Sequence, residues 1–468
     1  MKPNFTPTHG NGSGPARPRI LLADTNRWPL GPRLAMGFAE LGAHVAIVCA
    51  SPGHPAGKTR AIENVFKYDA ADPQGSLRRA IDAVDPDVVL PLCDRSAKHL
   101  HELYHSTKAG GTESRYADLV ERSLGSPESF ETVESRLHLL EVARSEGVRV
   151  PEMVSADAEE RLMQWCSQSA PPWVIKADGS WGGRGVRIAQ NIAEARRDWQ
   201  ELIERPGTGE LLKRLSLNRD RGWILSEWKS NRPHVLLQSY IQGRPANCGV
   251  ACWKGELLAG TAVEVVQAHG PTEPALVVRV VEGSEMLRAA RILAKRLNLS
   301  GIFGLDFMIE EETGHAYLIE MNPRCTPVCP LPLGSGRDLV AALFAKITDR
   351  PVQERKAVTD TDLIAYFPGN WIEVDGTAVS PSADAYYDVP LGEPELADQL
   401  LHPWSSRSTL GLVLDWGRRV MASKRSSPRE YVDRGIRGAA AKPHESSGDQ
   451  AGRVSAFRPA QSKARQKA

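Results

Sequence analysis

Short apolar runs alternating with amphipathic stretches open the ordered part of the chain. Ile20 to Ala23 reads as a buried strand, Leu34 to Leu41 as an amphipathic helix closed by Gly42, and His44 to Cys49 as a second strand. A helix over about Pro73 to Val84 leads into a strand at Asp87 to Leu92 that ends in Cys93-Asp94-Arg95. This order predicts an open parallel α/β sheet. Ligands in such sheets sit beyond the carboxyl ends of the strands, which puts Asp24-Thr25-Asn26 and Asp94-Arg95-Ser96 at the rim of a candidate site, although caps and turns use the same residue types. No Gly-x-Gly-x-x-Gly follows the first strand, so a nicotinamide-binding domain is not expected.

Further helices are expected through about Lys98 to Arg122. A charged amphipathic stretch follows between Pro127 and Gly147, with Val133, Leu137, Leu140 and Val142 as apolar content. Val150-Pro151 opens a new segment, and a helix over Ser155 to Cys166 delivers the chain to Trp173–Ile188, which reads as strand, flexible hairpin and strand. Ile192 to Glu204 is helical, 205 to 232 an insertion, and Val235 to Ile241 a strand. Strands at Cys248 to Trp253, Glu256 to Val266 and Ala275 to Val281 predict an antiparallel sheet, with the polar stretch Gln267 to Pro274 as a candidate substrate loop. After a helix at Glu285 to Leu297, strands at Gly301 to Ile309 and Ala316 to Glu320 pair through a turn.

Two stretches carry candidate chemistry. In W-V-I-K-A-D-G-S-W-G-G-R-G-V-R-I, glycines let backbone N–H groups curl round phosphate oxygens while Lys176 presents an ammonium from the ordered strand; a structural turn needing positive φ is the plainer reading. The pattern is not a Walker A loop. In the second, Asp306 and Glu320 stand on facing strands inside the apolar runs F-G-L-D-F-M-I and Y-L-I-E-M-N. Carboxylates there are costly unless a cation, a metal or donors satisfy them. With Asn322 they supply the hard oxygen ligands of magnesium; strand-edge salt bridges are the alternative.

The formal charge of the 468 residues is only +1. From Met421 onward eleven Lys or Arg face four Asp or Glu, about +7, so the rest carries about −6, and the folded body lacks a general nucleic-acid footprint. The seven cysteines are scattered, which suits free thiols in a reducing compartment; the pairs Cys248/Cys252 and Cys325/Cys329 read as small buried hydrophobes rather than zinc ligands. No secretory leader or bilayer-length apolar run is evident, so a cytoplasmic protein is expected.

Arg136, the V-I-K-A-D-G-S-W-G-G-R-G-V hairpin, L-L-Q-S-Y-I-Q-G-R-P, G-L-D-F-M-I and L-I-E-M-N-P-R, in that order, resemble the ATP-grasp superfamily over about residues 19 to 345. The likeness is to its carboxylate-amine and carboxylate-thiol ligases and related carboxylase domains. It implies that Arg136 replaces the usual first nucleotide-binding lysine, that Lys176 is the second, and that Gly182, Gly183, Arg184 and Gly185 form the closing phosphate loop. Gln238 would see the adenine amino group, and Tyr240 and Ile241 would lie on the hinge that reads the adenine edge. Asp306, Glu320 and Asn322 would hold Mg2+, with Mn2+ as an alternative ion, and Arg324 would lie beside the transferred phosphate. Arg279 is a further candidate for the same charge cluster. Pro245 stands near where relatives place an acidic ribose ligand, which leaves ribose recognition unassigned.

The implied fold is α/β, an ATP-grasp fold with an amino-terminal open α/β domain at 19–125 and an ATP-grasp domain at 126–350 whose nucleotide-closing part spans about 150–242. A small carboxyl-terminal appendage at 351–422, with buried segments at Thr361 to Phe367 and Leu410 to Leu414, lies between this core and a disordered basic tail at 423–468; a disordered arm covers 1–18. The implied activity is ATP-dependent joining of a carboxylate to an amine through an acylphosphate, with Lys176, Arg279 and Arg324 as catalytic groups. Glu264, His269 or Glu273 are candidate bases. Expected partners are ATP, small-molecule carboxylate and amine substrates, and a second copy of the chain in a homodimer. Acyl-thiol or carboxylase-like chemistry and a non-enzymatic nucleotide sensor are the alternatives.

Overall fold

The computed structural model describes residues 17–26, 28–50, 53–108, 114–178, 185–204, 234–268, 270, 272–369 and 384–401. The expectations for residues 1–16, for Gly182, Gly183, Arg184 and His269, for the insertion, for Leu410 to Leu414 and for the basic tail fall outside the described residues.

The first sheet comprises β1 (Arg19–Asp24), β2 (His44–Ala50), β3 (Asn64–Tyr68) and β4 (Val88–Pro91), all parallel in the order β3-β2-β1-β4. Both faces of β1 and β2 are covered: Ile20, Leu22, Val45 and Ile47 join one core, and Leu21, Ala23, Ala46 and Val48 another. This double burial makes their sequences unbroken apolar runs rather than alternating ones. Strand β3 has no such signature, because it is an edge strand with Asn64, Val65 and Lys67 exposed. The helical passage expected at 98–122 is divided between Asp94–Lys108 and Ser114–Leu124.

The second sheet holds β5 (Met153–Ser155), β6 (Trp173–Ala177), β7 (Val186–Ala189) and β8 (Val235–Ser239), antiparallel in the order β5-β8-β6-β7. Alternation decides its faces. Trp173, Ile175, Ala177, Val235 and Leu237 pack on Leu162, Trp165, Ala195 and Trp199 of helices Glu159–Gln168 and Ile192–Ile203. Lys176 and Gln238 occupy the other face.

The third sheet has β9 (Gly243–Trp253), β10 (Glu256–Ala268), β11 (Ala275–Val281), β12 (Gly301–Glu310), β13 (Ala316–Asn322), β14 (Leu363–Ala365) and β15 (Tyr386–Tyr387). Their order is β13-β12-β9-β10-β11-β14-β15, antiparallel except at β14–β15. The described part of 351–422 therefore extends this sheet through β14 and β15. The Arg33 guanidinium also donates to the Asp388 carbonyl at 3.0 Å, tying the segment to the first helix, Leu30–Glu40. One face of the sheet packs Cys248, Val250, Ala262, Leu305 and Phe307 against helix Ser284–Arg296. On the opposite face, Ala251, Val263, Val278 and Ile302 share a core with Leu339 and Leu343 of helix Leu339–Thr348 and with Leu34, Phe38 and Ile47. That shared core fixes the parallel sheet against the face of the antiparallel one that bears the acidic residues.

Candidate functional site

Cross-strand register brings the acidic residues together. Asp306 on β12 is opposite Glu320 on β13 and opposite Asn247 on β9, while Gly304 is opposite Asn322; residues so paired point to one face. A β-bulge follows, since Phe307 pairs with Leu318 and leaves Ile319 as the extra residue on β13. Asn247 Nδ2 donates to Asp306 Oδ1 at 2.6 Å, and Asn322 Nδ2 donates to Asp306 Oδ2 at 2.9 Å. Burial raises the Asp306 pKa, the neighbouring Glu320 raises it further, and the two amide donors and Arg324 act against them. The net direction is upward.

Arg324 sits in the turn after β13 and is buried. Its Nε donates to Asp94 Oδ2 at 3.0 Å, its Nη2 donates to Asn322 Oδ1 at 2.8 Å, and its guanidinium carbon lies 5.1 Å from the centre of the Trp28 ring. Burial works against its charge, yet the Asp94 carboxylate outweighs burial and the Arg324 pKa is raised. The turn approaches the sheet closely because of two glycines. A Cβ on Gly304 would fall 2.1 Å from Thr326 Cγ2, and one on Gly249 would fall 2.8 Å from Cys329 Sγ. Gly249 and Gly304 are cross-strand partners, so the turn rests on a floor without side chains.

Two cations face this acidic pair. The stretch expected as one amphipathic unit at 127–147 breaks at Ser135, whose extended backbone and side chain cap the helix Arg136–Ser145. The break puts Arg136 in the first turn, where its buried guanidinium lies 3.0 Å from Glu320 Oε2 and 3.8 Å from Asp178 Oδ1. Burial opposes the charge, but Glu320 and Asp178 prevail and hold the Arg136 pKa up. Lys176, also buried, donates from Nζ to Gln238 Oε1 at 2.7 Å. Its balance runs the other way. Burial and the charge of Arg136 lower the Lys176 pKa to about 7 despite Glu320 and Asp306.

Several expected site residues stand elsewhere. Arg279 is exposed and donates to Asp362 at 2.7 Å. It pairs with Glu264, which pairs with Ala246, which pairs with Phe307, whereas the Asp306 row runs through Asn247, Val263 and Val280. Adjacent rows point to opposite faces. Expecting Arg279 in the Arg324 charge cluster is therefore corrected by strand parity, and Glu264, held by Arg244 at 3.2 Å, faces away with it. Glu273 is exposed in a turn whose backbone bonds to Gly270. Tyr240 and Ile241, both half-buried, lie in the link from β8 to β9, and Gly185 is buried with its carbonyl accepting from Ala177 N at 2.8 Å. At the rim of the parallel sheet, Asp24 is committed to His54, 3.0 Å away and raised to about 10 because Asp24 and Cys49 together outweigh burial; Thr25 is committed to Cys93 at 3.1 Å. Asp94 of that rim reaches the Arg324 cluster by a hydrogen bond.

Asn247 and Trp28 were not anticipated. A polar residue between the buried Ala246 and Cys248 was the available sign for Asn247; Trp28, distant in sequence, offered none. The donor set suits a hard cation: Asp306 and Glu320 bring carboxylate oxygens together, and Asn322, whose Nδ2 meets Asp306 and whose Oδ1 accepts from Arg324, adds an amide oxygen with a second lone pair. Among the described residues no group of three or more His, Cys, Asp or Glu is placed to hold a metal, so an ion here would draw on two carboxylates, an amide oxygen, water and phosphate. All seven cysteines are free and buried.

A profile described as the ATP-grasp domain matches residues 221–328, a range that contains Gln238, Asn247, Asp306, Glu320, Asn322 and Arg324. This chain carries an ATP-grasp domain. Among solved structures, N5-carboxyaminoimidazole synthetase from Staphylococcus aureus complexed with ADP superposes with a TM-score of 0.51 at 13% identity, over 72% of this chain and 80% of that one. The biotin carboxylase domain of 2-oxoglutarate carboxylase from Hydrogenobacter thermophilus, solved with MgADP, ADP and bicarbonate, gives 0.50 at 18% identity over 72% and 71%. These likenesses show the ATP-grasp fold. In sequence, the carbamoyl phosphate synthase large chain of Haemophilus ducreyi is 22% identical over 300 residues, 58% of this chain and 25% of that protein. The ATP-grasp chain spans between 18% and 25% of the length of the curated relatives it matches. Among the described residues no helix is long and apolar enough to cross a membrane.

Proposed function

We propose that this ATP-grasp protein is an ATP-dependent carboxylate-amine ligase that activates a small carboxylate as an acylphosphate. The observation that carries the reading is the convergence of Arg136 and Lys176 on the wall formed by Asp306, Glu320, Asn322 and Arg324. A carboxylate pair facing two cations and a buried arginine fits a polyphosphate with its counter-ion better than it fits either one alone.

In this reading Lys176 and Arg136 hold phosphate oxygens and Gln238 offers its amide to the base. Asp306 and Glu320, with Asn322, hold Mg2+, which when bound would offset charge on the transferred phosphoryl group. A substrate carboxylate oxygen attacks the γ-phosphorus, the bond to the β-phosphate oxygen breaks, and ADP leaves. The amine then attacks the acyl carbon, the carbon–oxygen bond to phosphate breaks, and phosphate leaves as the nitrogen loses a proton. Arg324, fixed by Asp94 and Asn322, would steady the oxyanions of both steps. No protein nucleophile is needed, so the reaction is one of positioning and charge.

A carboxylation reading, with bicarbonate as the carboxylate, is favoured by the neighbour solved with MgADP and bicarbonate. One experiment separates the readings. Purified protein is given ATP, Mg2+ and a panel of carboxylates including 18O-labelled bicarbonate, each with and without amines. Substrate-stimulated release of ADP and phosphate, with 18O passed from one carboxylate into phosphate, supports a ligase and names the donor. Nucleotide binding with no carboxylate-dependent release under any pairing would leave a sensor in its place.

A further inference from the structure

Asp306 has one face toward the other acidic residues and a back side held entirely by neutral groups. Asn247, directly across the β12–β9 ladder, donates from Nδ2 to Asp306 Oδ1 at 2.6 Å and to the Leu305 carbonyl at 3.3 Å. The amide oxygen of Asn247 is itself held, since Thr326 Oγ1 donates to it at 3.1 Å. The Asp306 carboxylate and the Leu305 carbonyl fix which end of the amide faces them, because a reversed amide would set oxygen against oxygen at both; the Thr326 hydroxyl tethers the far end. Thr326 in turn belongs to the turn that bears Arg324 and rests on Gly304. A relay thus runs from turn to hydroxyl, to amide, to carboxylate.

We infer that Asn247 is a positioning residue for the cation site, and that Thr326 acts through it by tethering the amide. This rests on the metal reading proposed above. With Asn322 on Oδ2 and Asn247 on Oδ1, each carboxylate oxygen of Asp306 receives one amide donor and keeps a lone pair for the ion. Neither amide adds charge. Removing Asn247 leaves one oxygen free to rotate away from Glu320, and removing the Thr326 hydroxyl leaves the amide oxygen without its tether.

The test is Mn2+ titration of the full chain in the presence of ADP, read by the electron paramagnetic resonance of free Mn2+, beside metal-free ADP affinity and thermal unfolding. Outer-shell partners of metal ligands are worth roughly 10- to 100-fold in affinity. Asn247→Ala is expected to lose about tenfold or more in Mn2+ affinity and Thr326→Val several-fold, while Thr326→Ser, which keeps the hydroxyl, stays within about twofold. Metal-free ADP affinity should hold within about twofold in all three if the role is confined to the cation site. Wild-type Mn2+ affinity in both Asn247→Ala and Thr326→Val overturns the inference, as does an equal loss of metal-free ADP binding. Asp306→Ala and Glu320→Ala separate this from the reading beneath it. If those two lose Mn2+ and Asn247→Ala does not, only the role of Asn247 falls; if they bind Mn2+ normally, the metal reading falls and takes this inference with it.

Discussion

Lys176 Nζ donates to Gln238 Oε1 at 2.7 Å, a diagonal pair on the β6–β8 ladder in which, among the described residues, a buried ammonium hydrogen-bonds a neutral partner. Burial first, then Arg136, brings the Lys176 pKa down from its usual 10.5 to about 7, against the pull of Glu320 and Asp306. Polyphosphate placed beside it restores the charged form. At pH 8, nucleotide binding should therefore take up a proton, and calorimetric titration in buffers of different ionisation enthalpy measures it directly. Uptake approaching one proton is expected for the native chain and none for Lys176→Met; identical uptake in both would remove Lys176 from the phosphate site.

The same shift sets a sign for stability. Between about pH 7 and 10.5 the unfolded chain keeps the Lys176 proton that the folded chain has lost, so the unfolded state binds more protons and this group's contribution to stability rises with pH across that window. Denaturant unfolding at pH 7.0 and 9.5 should show the native chain gaining relative to Lys176→Met. A gain in the opposite direction would mean that the lysine is held charged.

Arg324 carries its buried charge against Asp94, a residue 230 positions earlier and half-exposed at the end of the parallel sheet. Hydrogen bonds to charged groups contribute about 1.5–3 kcal/mol, and the loss is felt as a buried guanidinium with one anion fewer. Asp94→Ala should cost about 1–3 kcal/mol in denaturant unfolding and reduce turnover with ATP, while Asp94→Glu recovers part of both. Unchanged turnover in Asp94→Ala would show that Arg324 needs no anchor from the parallel sheet.

Strand positions, though not their order, could be read from apolar runs where burial is heavy, which covers β1, β2, β4 and the β12–β13 hairpin. The sequence placed Asp306 and Glu320 on facing strands of that hairpin, but counting from the turn would pair Asp306 with Ile319; the bulge at Ile319 brings Glu320 opposite. Strand β3 escaped because an exposed edge writes no apolar pattern. Asn247 and Asp94 escaped as partners for a different reason: a hydrogen bond across β9–β12, or between two sheets, depends on register and docking that no local stretch encodes. The break at Ser135 was equally silent, since its neighbours keep the helical period on both sides.

Gly304 offers a steric test of the floor beneath the Arg324 turn. Its Cβ would lie 2.1 Å from Thr326 Cγ2, so Gly304→Ala must push the turn off the sheet. Overpacking of this kind costs about 1–3 kcal/mol, and here the displaced residue is the one that holds Asn247. The variant should lose stability and cation affinity together. Adding Thr326→Ser deletes the clashing methyl and keeps the hydroxyl, so the double variant should regain most of both; a strictly additive loss would deny the contact.

Arg279 tests strand parity. It shares a row with Glu264, Ala246 and Phe307, on the face opposite Asp306, and its ion pair with Asp362 is exposed on both sides. Exposed pairs contribute about 0–1 kcal/mol, and a guanidinium on that face cannot reach the acidic wall without turning its strand over, which would send the buried Val278 and half-buried Val280 outward. Arg279→Gln should therefore change unfolding by less than about 1 kcal/mol and leave ATP-dependent turnover within about twofold, while Arg324→Gln abolishes most of it. A loss in Arg279→Gln comparable with that of Arg324→Gln, at unchanged stability, would require the two rows to share a face and would overturn the assignment of the acidic wall to one side of the sheet.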